Sequence, residues 1–131
     1  MVTTTAEILP NGDGIVLIRF REGIAVDTLE AREIVAATQR VAGTTAHGNL
    51  VDARTLTHIS KGACEVFACQ NRRSVSGVAV LAGSSLQRTM ANLYLSVARP
   101  KIPTRRFTTE RAAADWLHAQ NQRLLASLCL P

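Results

Sequence analysis

Asp52, His58 and Ser60 are the residue types of a hydrolytic triad, gathered in the short stretch LVDARTLTHIS. A serine nucleophile needs a base within hydrogen-bond reach, and the base must itself be held by a third group. His58 stands only two positions before Ser60 in a stretch that reads as loop. No GxSxG elbow surrounds either Ser60 or the Gly83, Ser84, Ser85 triplet, and no second histidine lies near that triplet in sequence. An esterase-like use of Ser60 is therefore the lesser reading, and a noncatalytic chain is expected.

Other chemistries find less support. The three cysteines, Cys64, Cys69 and Cys129, are odd in number and form no CxxC pair, which argues against both a disulfide framework and a zinc site. A redox thiol is the sharper alternative, but a free cysteine usually packs as a small hydrophobe. His47, His58 and His118 lack metal-ligand spacing with carboxylates or thiols. The AGSS segment has one glycine and no following lysine and threonine, unlike a phosphate-binding loop. Neither a metal nor a cofactor is expected.

The chain has 131 residues, 47% of them hydrophobic, with a formal charge of +5. That length and apolar content fit one domain over residues 1–131. The basic groups Arg72, Arg73, Arg99, Lys101, Arg105 and Arg106 are dispersed, and the one Trp, one Tyr and three Phe form no ladder between them. Specific nucleic-acid binding is not expected, since such modules concentrate basic and stacking groups. No apolar run approaches the roughly 20 residues that cross a bilayer, and MVTTTAEILPNG lacks the features of a secretory leader. A soluble, cytoplasmic protein is expected.

The elements that must position these residues follow from periodicity. EILPNGDGIVLIRF has two apolar runs around Pro10 to Gly14, predicting a β-hairpin that enters a strand at Ile15 to Phe20. Asp27, with Glu30 three positions on, predicts a capped helix with Ala31, Ile34, Val35, Thr38, Val41 and Ala42 on one face, stopped by Gly43. HGNLVDA reads as the next strand, Ser60 to Asn71 as a second helix, and SVSGVAVLA as a strand buried on both faces. Ser84 and Gln87 offer a second capping box, followed by Leu86, Met90, Leu93 and Val97 at helical spacing until ARPKIP. TRRF is a further strand, and Thr108 is expected to cap a long last helix that extends beyond about residue 120. Strands alternating with helices through short connections predict an α/β fold with βα repeats, an N-terminal β-hairpin and a mostly parallel sheet of four or more strands.

The segments GIVLIRFREG, NLVDARTLTHIS, VAVLAGSSLQRTMANLYL and RPKIPTRRFTTERAAADWL, in this order, resemble the STAS-like group of anti-sigma-factor antagonists. The resemblance extends to small bacterial proteins described as STAS or CRAL-TRIO-like domains of unknown role, and it spans nearly the whole chain. It implies an anti-sigma-factor-antagonist-like fold and a role in protein contact. Antagonists of this kind carry an Asp at the end of the second buried strand and then an Asp-Ser-Ser-Gly switch in which a serine is phosphorylated. Asp52 matches the first aspartate, whereas Ser60, Lys61 and Ala63 stand where the switch has its aspartate, its phosphorylated serine and its glycine. The switch motif is missing in that placement, and a slip of one position would make Ser60 the phosphorylated residue. As a residue, Ser60 fits a helix cap.

In an open α/β sheet, ligands and partners meet the carboxyl ends of the strands, where helix N-termini converge. This selects Asp52, Arg54, His58, Ser60 and Lys61 after one strand, and Ser84, Ser85 and Arg88 after the next, as candidates for holding an anion or a partner carboxylate. The plainer reading of the same residues is caps, a loop ion pair and solvated arginines. Leu117, Leu124 and Leu128 form an apolar stripe suited either to a homodimer seam or to packing on the chain itself, and a second copy is an expected partner. A CRAL-TRIO-like small-ligand or lipid-binding domain is the rival reading, and it requires a cleft near Phe67, Met90 or Leu93.

Overall fold

The computed structural model describes residues 2–3, 5–10, 13–43, 46–68, 75–93 and 102–129. Strands β1 (Ala6–Pro10) and β2 (Ile15–Phe20) form the expected antiparallel hairpin, with Ala6 opposite Phe20 and Pro10 opposite Val16. Then follow β3 (Ala25–Val26), α1 (Thr28–Ala42), β4 (His47–Asp52), β5 (His58–Ile59), α2 (Lys61–Ala68), β6 (Val75–Leu81), α3 (Ser85–Leu93), β7 (Thr104–Phe107) and α4 (Glu110–Cys129). The main sheet runs β1-β2-β4-β6-β7, and all its pairings after the hairpin are parallel. The mostly parallel α/β sheet expected from the sequence is the one the chain forms.

Strand alternation divides the core between two faces, because successive side chains point opposite ways. Val16, Ile18 and Phe20 of β2 join Ala31, Ile34 and Ala37 of α1 and Ala63 of α2 on one face. Ile15 and Leu17 of the same strand join Leu50, Ala79, Leu81, Ala113 and Leu117 on the other, beneath α4. Two glycines let α4 come close. A Cβ at Gly48 would lie 2.7 Å from Leu117 Cδ2, and one at Gly77 would lie 3.2 Å from the Trp116 ring. Leu117 is fully buried there, so it belongs to the chain's own core and not to a dimer seam.

Local signals read from the sequence set most helix ends. Gly43 takes a positive φ of 62° and its N–H closes α1 on Gln39 O at 2.8 Å. Ser84 and Gln87 form a full capping box at α3: Gln87 N–H donates to Ser84 Oγ at 3.1 Å, and Gln87 Oε1 accepts from Ser84 N–H at 3.2 Å. The last helix differs by one position from expectation. Thr109, not Thr108, caps α4, its Oγ1 accepting from Ala112 N–H at 3.3 Å and its carbonyl from Ala113 N–H at 3.2 Å. Val97 and the last three residues of the segment expected to form α2, beyond Ala68, lie outside the described residues.

Candidate functional site

The carboxyl ends of β2 and β4 feed two loops that are stitched together, an arrangement absent from the sequence reading. Gly23 N–H donates to Thr55 O, Thr57 N–H to Ile24 O at 3.0 Å, and Ser60 N–H to Val26 O at 2.9 Å. Thr55 Oγ1 donates to Phe20 O and Thr57 Oγ1 to Ile24 O. These bonds make the small parallel pair β3 and β5, which sets the starts of α1 and α2 side by side.

Ser60 is the N-cap of α2. Its Oγ accepts from Ala63 N–H at 3.0 Å and donates to Asp27 Oδ1 at 2.9 Å, while the same Asp27 oxygen accepts from Thr28 N–H at 2.7 Å to cap α1. One carboxylate oxygen thus serves both helix starts. The Thr28 N–H, and after it the Ser60 hydroxyl, hold the Asp27 carboxyl below its usual range. Among the described residues no histidine bonds Ser60, and Asp52 is committed elsewhere. The triad considered from residue types is therefore not assembled: Ser60 faces Asp27, and His58 lies exposed on β5.

Asp52 ends β4 almost fully buried. Arg54 grips it as a fork, Nε to Oδ1 at 2.9 Å and Nη2 to Oδ2 at 2.8 Å, and the Arg54 N–H adds a bond to Oδ1 at 3.2 Å. Arg19 of β2 stands 3.7 Å from Oδ2. The Arg54 side chain is the main reason that the Asp52 carboxyl lies below the usual range, and it outweighs a burial that pushes the other way. Gln87 ties this loop to α3 through Arg54 O, while its Oε1 accepts from Gly83 N–H at 3.0 Å.

Of the residues selected from the sequence, Asp52 and Arg54 meet directly and Ser84 joins them through Gln87. Ser60 belongs to a separate cluster with Asp27. His58, Lys61, Ser85 and Arg88 are exposed on the same edge, and the first turns of α2 and α3 contain no acidic residue. The reading missed Asp27 as the partner of Ser60, although its capping role was visible, and it missed Gln87 as the link to Arg54. Leu124 is half-buried, its neighbour Leu125 is 51% exposed, and the side chain of Leu128 lies outside the described residues. Cys64 is half-buried, and burial, helped by Glu65, pushes its thiol up, away from a reactive thiolate. Cys69, Arg72, Arg73, Arg99 and Lys101 lie outside the described residues.

On the α1 face of the sheet a cavity of about 100 Å³ opens, lined among others by Phe20, Val51, Phe67, Val80 and Ala91. It lies where the small-ligand reading requires a cleft, next to Phe67. The side chains of Met90 and Leu93 are outside the described residues.

A family model described as Domain of unknown function (DUF7793) matches residues 9–121. The chain belongs to the DUF7793 family. This DUF7793 chain is similar to the crystal structure of an uncharacterized protein of the DUF3478 family from Shewanella loihica PV-4, which has a SpoIIAA-like fold. The two align with a TM-score of 0.60 and 15% identity over 89% of this chain and 98% of that one. The likeness shows the fold, and it is the STAS-like fold expected from the sequence. A protein of unknown function from Arthrobacter sp. FB24 is 33% identical over 85% of this chain and 97% of its own, with a TM-score of 0.36. No curated protein matches the DUF7793 chain. Among the described residues no helix is long and apolar enough to cross a membrane.

Proposed function

We propose that this DUF7793 domain is a noncatalytic, STAS-like protein-interaction module that meets an acidic partner with the carboxyl edge of its sheet. The observation that supports this most is the charge of that edge. Lys61 and Arg88 are exposed in the first turns of two helices that carry no acidic residue there, so their cations add to the positive ends of the helix dipoles. Leu29 supplies an apolar contact. It is 75% exposed in the first turn of α1, next to Thr28, whose Oγ1 stands where a Cβ on Gly62 of α2 would need room. An exposed apolar side chain within a charged and polar edge is a usual composition for a contact surface.

Ser60 acts in this reading as a cap shared with Asp27 and not as a phosphorylated switch. A phosphate there would add nearly two negative charges beside the Asp27 carboxylate. The exposed Leu125 beside Leu124 serves as a homodimer contact through the last turns of α4.

The test is affinity capture from the native cell with the wild-type chain and with Leu29→Asp and Lys61→Glu variants, followed by mass spectrometry. A protein recovered in fixed stoichiometry by the wild type and lost with either variant is the expected result. If no protein rises above background, or if both variants retain it, the carboxyl edge is not the contact surface. Sedimentation of the Leu125→Glu variant as a monomer, against a dimeric wild type, checks the second contact.

A further inference from the structure

The two faces of the central strands are covered unequally. Under α4, Leu50, Ala79 and Leu81 are fully buried. On the opposite face, Val51, Val78 and Val80 are only half-buried, although β4 and β6 are interior strands of the sheet, and all three line the cavity. Asn49 lines it too. It is 4% exposed, and its Oδ1 has no hydrogen-bond partner among the described residues.

A buried amide oxygen without a donor is costly, and native proteins rarely leave one so. The neighbouring polar groups do not supply the donor. Thr38 also lines the cavity, but its one hydroxyl hydrogen goes to Ile34 O at 2.7 Å. The Gln87 carboxamide is engaged with Gly83, Ser84 and the Arg54 carbonyl. None of the described lining residues is charged.

We propose that the cavity binds a small uncharged molecule with an apolar body and a single hydroxyl group, the hydroxyl hydrogen-bonding to the Asn49 side chain. A hydroxyl both donates and accepts, so it satisfies the amide whichever way its oxygen and nitrogen are turned. A charged head group is excluded by the cost of burying an unpaired charge among these residues. Size limits the body. A cavity of about 150 Å³ holds a benzene ring, so the 100 Å³ here suits a ring or short branched chain of that order and is too small for a long acyl chain. A water molecule is a poorer occupant, since it needs two to four polar partners and the wall is mostly apolar. This inference goes beyond the protein-contact reading, and neither depends on the other.

Phenol and toluene test it, being nearly the same shape with and without the hydroxyl. Each is titrated into the full chain and followed by amide-resolved NMR. The expected result is saturable binding of phenol at least about fivefold tighter than toluene, the scale set by satisfying one buried polar group, with the largest shifts around Asn49 and Val80. Asn49→Leu should bring the ratio close to one, and Val80→Phe, which fills the cavity, should abolish binding of both. Equal binding of the two probes to the wild-type chain, or no saturable binding of either, overturns the proposal. So does a phenol preference that survives Asn49→Leu.

Discussion

Asp52 and Ser60 occupy the positions a reader of the sequence would pick for chemistry, and each is spent on structure. For Asp52, the fork from Arg54 is the larger influence and lowers the carboxyl, while burial opposes it. A carboxylate whose folded value is depressed adds stability that is complete above its unfolded value near pH 4 and is lost as pH falls through the folded value below it. Asp52→Asn is therefore expected to cost about 1.5–3 kcal/mol at pH 7, the range for hydrogen bonds to charged groups. The gap to the wild type should narrow as pH drops below about 4. Urea unfolding at both pH values measures it, and a gap that does not change with pH would sink this account. Ser60→Ala loses both the Ala63 N–H acceptor and the donor to Asp27, for about 0.5–2 kcal/mol. Ser60→Asp keeps the cap acceptor but turns a carboxylate toward Asp27. It should be less stable than Ser60→Ala and should recover when Asp27→Asn is added, a coupling that a double-mutant cycle in urea reports. Independent effects would show that Asp27 and Ser60 do not share the cap.

At the scale of elements, what was legible in the sequence was local. The Gly43 stop, the Ser84 and Gln87 box and the hairpin around Gly14 are each written within a few residues, so short-range patterns reveal them. The pairing of β3 with β5 is different. Ala25 and Val26 meet His58 and Ile59 across a long stretch of chain, through backbone bonds that leave no periodic trace in two-residue strands. The meeting of Asp27 with Ser60 was hidden for the same reason, and so was half of the candidate site. Thr108 and the adjacent Thr109 are the same residue type, so residue type alone could not separate them, and it is Thr109 that caps α4. The seating of α4 on the sheet rests on Gly48 and Gly77, the close approach of which no sequence pattern announced. Gly48→Ala would place Cβ 2.7 Å from Leu117 Cδ2 and 3.1 Å from Leu117 Cβ, against the root of that side chain as well as its tip. It is expected to lower stability by about 1–3 kcal/mol, the usual range for overpacking. Pairing it with Leu117→Val should return part of the loss. Thermal unfolding of the single and double variants decides this, and a neutral Gly48→Ala would mean that α4 can lift from β4 without cost.

At the scale of the whole molecule, one sheet carries two cores that share its strands. Ile18 points to α1 and Leu17 to α4 from neighbouring positions on β2, and Val51 and Leu50 do the same on β4. Stripping α4 from its face would leave Leu50, Ala79 and Leu81 in water, while the same strands still had to hold Ile34 and Ala37 in place on the other side. The two faces should therefore not melt separately, even though α1 and α4 touch different residues. Ile34→Ala and Leu117→Ala each remove a fully buried side chain, one from each core, and each is expected to cost about 2–5 kcal/mol. Both should shift a single unfolding transition, with far-ultraviolet circular dichroism and Trp116 fluorescence moving together. The informative probe is Trp116, because it packs against Phe107 at 5.6 Å on the α4 side only. If Ile34→Ala lowered the circular-dichroism midpoint but left the Trp116 midpoint where it was, the α4 core would be a cooperative unit of its own. The sheet would then be a hinge between two cores and not the element that joins them.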